Sequence, residues 1–162
     1  MELLKNNKDG KKGIPETLVD WKREGNTLVF NFEARDSSLK SFSNKNNDTL
    51  WYENVVEVFL DLGDDFYYEF EIAPNGTSFI AKIKNLAITF FEQDFFSHKV
   101  EIEDTTYRVE VRMNLDKLSY KPKYIRFNAF RHERVNGEDK ELSLNPTLCE
   151  TFHVRECFIP FE

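Results

Sequence analysis

The sequence predicts an all-β fold: an antiparallel β-sandwich of the jelly-roll or immunoglobulin-like kind, with at most short helical turns. Aromatic residues make up 15% of the chain, sixteen of them Phe, a composition that favours pleated, half-buried strands. Apolar and polar residues alternate in several short segments, and turn signals separate those segments. No amphipathic helical pattern of useful length competes with this reading.

Residues 1–25 read as a polar N-terminal arm packing on the domain. It carries Gly10, Gly13, Pro15 and a lysine-rich start, and only "TLVDW" (17–21) can dock, with Trp21 as the anchor. Residues 26–162 read as one domain, a length that supports a single sizeable core.

"NTLVFNFEARD" (26–36) puts Leu28, Phe30, Phe32 and Ala34 on one face, as a half-buried strand requires. The Ser/Asn-rich stretch 37–49 has no period and reads as a long loop that delivers Trp51 to the next strand. In that strand Val56, Val58, Leu60 and Leu62 face the core, and Glu57, Phe59 and Asp61 face away. A loop at Gly63-Asp64-Asp65 leads into "YYEFEIA" (67–73), setting Glu57 opposite Glu71 and Phe59 opposite Glu69. Like charges so opposed destabilise a sheet.

"PNGT" (74–77) signals a hairpin with a two-residue Asn-Gly loop. That register would pair Ile72 with Phe79, Phe70 with Ala81, Tyr68 with Ile83, and Glu69 with Lys82. Further strands are expected at 97–103, 106–113 and 123–131, with a turn at 114–122. The segment after Glu141, interrupted by Pro146 and Pro160, should be an ordered loop ending in a short strand.

A net charge of -7 and a pI near 5.1 argue against a nucleic-acid partner, which needs an unopposed basic stripe. No apolar run approaches the ~18 residues of a membrane span, and the first residues lack the apolar core of a secretory signal. Cys149 and Cys157 are too few for a disulfide framework; they are either free thiols or one bridge.

The face carrying Glu57, Asp61, Glu69, Glu71, Lys82 and Lys84 is the most informative feature. Read plainly, it is a solvated face with cross-strand ion pairs. Read functionally, it offers hydrogen-bond partners to a polyhydroxylated ligand, with Trp51 as a stacking platform at its rim. Two adjacent carboxylates also suggest glycoside hydrolysis, but on an open sheet they lie on one side of a ligand instead of flanking a bond. His98, His132, His153, Met113 and the cysteines show no metal-ligand spacing. The oxygens of "RDSS", "NKNND" and "DLGDD" match no EF-hand loop. No nucleophile motif or glycine-rich phosphate loop is present, so no catalytic residue is expected.

"LWYENVVEVFLD", "YYEFEIAPNGT", "NAFRHER" and "NPT…FHVRECF" occur in the order found in family-9-like carbohydrate-binding modules, which the chain resembles over residues 26–162. The resemblance implies a β-sandwich of the DOMON-like superfamily that holds sugar ends between two aromatic rings, with structural calcium nearby. Trp51 matches the first ring and Glu57 a ligand-contacting acid; Phe152 falls where sugar-binding members carry a tryptophan. Glu71 stands where those members place an arginine, Asn54 replaces an aspartate, and Asn128 and Arg131 match the penultimate strand, with Asn128 the inward polar contact. Some DOMON-like relatives bind haem through Met and His, but Met113 has no histidine clearly opposite it.

The expected function is non-catalytic binding of a saccharide or polysaccharide through Trp51, Glu57, Glu71, Lys82, Asn128 and Phe152. By resemblance it would serve polysaccharide utilisation beside a parent glycoside hydrolase or other carbohydrate-active protein, in an extracellular or periplasmic setting. The competing reading is a ligand-free structural or protein-interaction sandwich of the same family.

Overall fold

The computed structural model describes residues 1–35, 39–91, 94–135 and 137–162, with the backbone alone at Val135. The strands are β1 (Glu2–Leu3), β2 (Lys5–Asn6), β3 (Thr17–Glu24), β4 (Thr27–Arg35), β5 (Val55–Asp61), β6 (Tyr67–Ile72), β7 (Ser78–Lys84), β8 (Ala87–Thr89), β9 (Phe96–Glu103), β10 (Thr106–Asn114), β11 (Arg126–Val135), β12 (Glu138–Ser143) and β13 (Ile159–Pro160). Single 3₁₀ turns occupy Leu50–Tyr52, Leu115–Lys117 and Arg155–Cys157. One sheet has the order β1-β3-β4-β10-β9 and the other β2-β12-β11-β5-β6-β7-β8, with β13 beside β11. All pairs are antiparallel, which confirms the predicted sandwich.

Alternation explains the core between the sheets. Leu28, Phe30, Phe32 and Ala34 of β4 pair with Met113, Val111, Val109 and Tyr107 of β10, and all eight are buried. From the other sheet Val56, Val58, Leu60, Phe70, Ile72, Ile80, Phe127 and Ala129 meet them. Burying each large apolar side chain contributes about 1.5–3 kcal/mol before entropy is counted. Arg131 also points into this layer, its guanidinium 4.8 Å from the Tyr107 ring centroid and 3.6 Å from Glu133.

Several elements differ from expectation. The N-terminal segment supplies β1, β2 and the whole of β3, with Trp21 edge-on to Phe127 at 5.0 Å. The strand expected at 123–131 starts at Arg126 and runs to Val135, and it pairs with β12, which the sequence pattern did not reveal. The β5–β6 register is as expected, with Glu57 opposite Glu71 and Phe59 opposite Glu69. Gly63 in the connecting loop has φ +94°, and a Cβ there would sit 2.7 Å from Cβ of Lys123.

The β6–β7 register is shifted by one residue from the expected one. Ala73 N–H donates to Thr77 and Gly76 N–H to Ala73, which makes a three-residue loop with Gly76 at φ +84°. Glu69 therefore pairs with Ala81, Glu71 with Phe79 and Tyr68 with Lys82. Because side chains alternate, one residue of slip exchanges the faces. Lys82 consequently lies on the opposite side from the glutamates, 4.8 Å from the Phe66 ring centroid and 5.2 Å from that of Phe91.

The largest departure is on the outer face of the seven-strand path. All seven residues of β5 and all six of β6 are buried, so both faces of these strands are covered. A second apolar cluster explains this: Leu50, Val55, Phe59, Tyr67, Ala73, Phe79, Ala81, Ile83, Phe130 and Phe158 pack there, with Trp51 and Phe152 partly buried against them. The expected solvated face is a covered one.

Candidate functional site

Two irregular segments cover the outer face and leave a cleft of about 410 Å³ between them. Residues 40–54 form one wall. Glu53 accepts from the N–H groups of Phe42 and Ser43 at 3.0 and 2.7 Å. Asn46 and Asn47 accept through Oδ1 from Ser78 N–H and Ile80 N–H at 3.1 and 2.9 Å, as a neighbouring strand would. Side-chain amides thus satisfy the part of β7 that β8 does not reach. This bracing sets the turn carrying Trp51, whose ring meets Phe79 edge-on at 5.2 Å, with Tyr52 beside it at 5.8 Å.

Residues 144–158 form the other wall. Buried Asn7 fastens it: its Oδ1 accepts from Thr147 N–H and Ser143 Oγ, and its Nδ2 donates to Thr147 Oγ1 and Cys149 O. Asn128, on the cleft side of β11, spends its amide holding Asn145 by donating to Asn145 O and accepting Asn145 N–H. Arg155 grips Asp61 through Nε and Nη2 at 2.7 and 2.6 Å. Burial alone would raise the Asp61 carboxyl, but Arg155, Gly63 N–H and Tyr124 outweigh it and hold the group below its ordinary value. These ties present Phe152, stacked on Phe130 at 4.3 Å and 23°, and His153, stacked on Phe59 at 5.1 Å. His153 Nδ1 lies 2.5 Å from Tyr67 Oη, and burial pulls its pKa down, so the ring is neutral near pH 7.

Acidic groups dominate the floor. Glu57 and Glu69 line the cleft, and Glu71 lies directly across from Glu57 in the sheet. Their relative exposures are 2%, 5% and 0%, and one carboxylate oxygen from each lies within 4.8 Å of the other two. Burial, with the charge of Glu69 added, pushes Glu57 well above its ordinary range. Burial likewise raises Glu71, reinforced by Glu57 and Glu69. Burial brings Glu69 up to about 7. Glu71 in its protonated form donates to Glu69, which lowers Glu69 and raises Glu71, and among the described residues no other donor reaches the Glu71 oxygens.

The structure therefore brings Trp51, Glu57 and Phe152 to one cleft and sets Glu71 at the edge of its floor. Lys82 is on the other face, and the amide of Asn128 is consumed by the loop it anchors. Glu69, Phe79, Tyr52 and His153 join the lining. Glu69 was reachable from its parity with Glu71, whereas His153 lies in an irregular segment without a period.

In the loops first considered for calcium, several side-chain oxygens are engaged within the protein. In "NKNND" the oxygens of Asn46 and Asn47 serve β7, and Asp48 accepts from Ser43 Oγ and Thr49 N–H. In "DLGDD" Asp61 is committed to Arg155. Most of "RDSS" lies outside the described residues. Cys149 and Cys157 are free thiols. No described helix is long and apolar enough to cross a membrane.

No family profile matches the chain. A curated relative from Arthroderma benhamiae, described as an extracellular protein, is 34% identical over 79 residues, which is 46% of this chain and 36% of that protein. The chain thus spans about a third of the relative it matches. Among solved structures, a Bacteroides uniformis protein provisionally assigned as carbohydrate-binding superposes with a TM-score of 0.80 at 17% identity, covering 97% of this chain and 83% of that one. A family-9 carbohydrate-binding module from Caldicellulosiruptor kristjanssonii in complex with glucose gives 0.64 at 16% identity, over 98% and 80% of the two chains. A family-9 module from the same organism in complex with cellotriose gives 0.61 at 18%, over 90% and 70%. The chain has the fold of the family-9 carbohydrate-binding modules.

Proposed function

We propose that the outer-face cleft binds a saccharide without cleaving it. The observation that carries this reading is the placement of Trp51 and Phe152. Each is partly exposed, one resting on Phe79 of β7 and the other on Phe130 of β11, with the carboxyls of β5 and β6 on the floor between them. Sugar rings offer C–H faces that stack on aromatic rings and hydroxyls that need fixed polar partners. Glu57 and Glu69, with Thr151 at the rim, supply such partners.

The arrangement argues against hydrolysis. Glu57, Glu69 and Glu71 all project from one sheet face, whereas cleaving a glycosidic bond requires carboxyls on both sides of it. The fold shared with proteins solved with glucose and cellotriose supports glucose-based ligands as first candidates. The extracellular relative supports an extracellular setting, where a binding module would accompany a carbohydrate-active protein.

Calorimetric titration with glucose, cello-oligosaccharides and a wider sugar panel tests the proposal. Binding to the wild type with at least about tenfold loss in Trp51→Ala is expected, since a stacked ring contributes about 0.5–1.5 kcal/mol beyond its buried area. Absence of binding across the panel at millimolar sugar would refute it.

A further inference from the structure

We propose that the cleft takes a saccharide bearing an apolar aglycone, alkyl or aryl, and that the aglycone lies on a shelf made by Leu86, Ile88 and Phe90. The inference rests on the saccharide reading of the cleft and adds the chemistry of the ligand's other end. Register builds the shelf. Ile88 of β8 pairs with Ile83 of β7, which belongs to the outer apolar cluster, so Ile88 shares the cleft face. Alternation puts Phe90 on the same side, edge-on to Phe79 at 5.6 Å, and Leu86 lines the cleft beside Ile88. Ala87 and Thr89, opposite Lys84 and Lys82, take the other face.

Exposure and backbone conformation point independently to a ligand there. Leu86, Ile88 and Phe90 are 70%, 44% and 50% exposed, so a strand patterned to face a core faces solvent instead. Contiguous exposed apolar surface beside a cleft is a mark of a binding groove. The two-residue loop between Lys84 and Ala87 holds Asn85 at φ +50° and Leu86 at φ +64°. A loop with both angles positive favours Asn-Gly, and a leucine in the second place is strained. Packing inside the protein offsets little of that strain, because the Leu86 side chain is mostly in water. Such strain is concentrated where a side chain serves a ligand. Continuity with the cleft selects the occupant. Phe79 supports both Trp51, at 5.2 Å, and Phe90, so the platform for the sugar and the shelf share one ring. Glu57 and Glu69 lie at the β5–β6 end of the cleft, whereas Leu86 and Ile88 lie at its β8 end. A cleft polar at one end and apolar at the other matches a ligand with the same division.

Calorimetric titrations with methyl, hexyl and phenyl β-glucosides, below micelle-forming concentrations, and with 1-hexanol test the inference. At least one of the hexyl and phenyl glucosides should bind about tenfold or more tighter than the methyl glucoside, and the better of the two separates alkyl from aryl. In Leu86→Gly and Ile88→Ser that ratio should shrink below about twofold. Leu86→Gly should melt no lower than the wild type, since glycine adopts the positive φ without strain, so a lost ratio there reports lost contact and not lost folding. Equal affinity for all three glucosides would overturn this inference and leave the saccharide reading standing; no binding of any glucoside would overturn both. Binding of 1-hexanol as tight as that of the hexyl glucoside would uncouple the shelf from the sugar and overturn the inference. A wild-type dimer in sedimentation that Ile88→Ser dissolves would assign the shelf to a second copy, with the same consequence.

Discussion

The two faces of the larger sheet are built from the same strands and do opposite things. The inner face presents Val56, Val58, Leu60, Phe70 and Ile72 to the other sheet, with regular alternation and close apolar packing. The outer face presents Phe59, Tyr67, Phe79 and Phe130 around three buried glutamates, under loops tied down by asparagine amides. The inner face resolves its burial cost with apolar surface, apart from Arg131, which lies over the Tyr107 ring beside Glu133. The outer face accepts ionisable groups in a dry setting and leaves a cleft above them. The contrast teaches that burial by itself does not mark a core, since β5 and β6 are buried on both faces yet only the outer face carries a cleft over clustered carboxyls.

Truncating the outer aromatic cluster should give the largest effect. Phe59 stacks with Tyr67 and His153 and packs on Phe130, so Phe59→Ala is expected to cost about 3–5 kcal/mol, comparable with Phe70→Ala on the inner face. Denaturant unfolding of both variants measures this. A negligible cost at Phe59 would mean the outer cluster is a loose cover and would break the comparison.

Next comes the pin between wall and sheet. Arg155→Leu leaves Asp61 buried without its cation, at an expected cost of about 2–4 kcal/mol read as a lower unfolding midpoint, whereas Asp61→Asn with Arg155→Leu should recover part of the loss. The carboxyl cluster sharpens the contrast through pH. A glutamate whose pKa is raised in the folded state stays protonated where the unfolded chain has already ionised, so its stabilising contribution is lost as pH rises. With Glu69 at about 7 and Glu57 and Glu71 well above their ordinary range, stability should fall as pH rises from about 6.5 through 7 and beyond. His153, with its lowered pKa, works in the opposite sense, mainly below about pH 6.5, and so outside this window. The slope is up to about 1.4 kcal/mol per pH unit for each proton of difference, and Glu69→Gln should flatten it. Melting curves across this range check the sign. The smallest effect is expected at the loop braces: Asn46→Ala removes one acceptor for Ser78 N–H and should cost about 1 kcal/mol.

Much of the fold was legible because alternation is a local signal. β4, β5, β6 and β10 announced their inner faces residue by residue, and the Glu57–Glu71 register followed from loop length and parity alone. The β6–β7 register was not legible, because "PNGT" suits either a two-residue or a three-residue loop, and the choice is made by where Ala73 and Thr77 pair. That single ambiguity moved Lys82 to the wrong face. β12 escaped notice because "EDKELS" is mostly polar; its strand character comes from pairing with β11 and β2. In the cleft, Trp51, Glu57 and Phe152 were readable, whereas the burial of the carboxyls depends on loops whose positions no periodicity encodes.

The central claim is that Trp51 forms one wall of an occupied cleft, and its own fluorescence tests that most directly. In Trp21→Phe protein, Trp51 is the remaining tryptophan, and its emission is followed while cello-oligosaccharides are added. The account predicts a saturable change in emission and protection of the indole from a soluble quencher. A flat response and unchanged quenching in folded protein would contradict it.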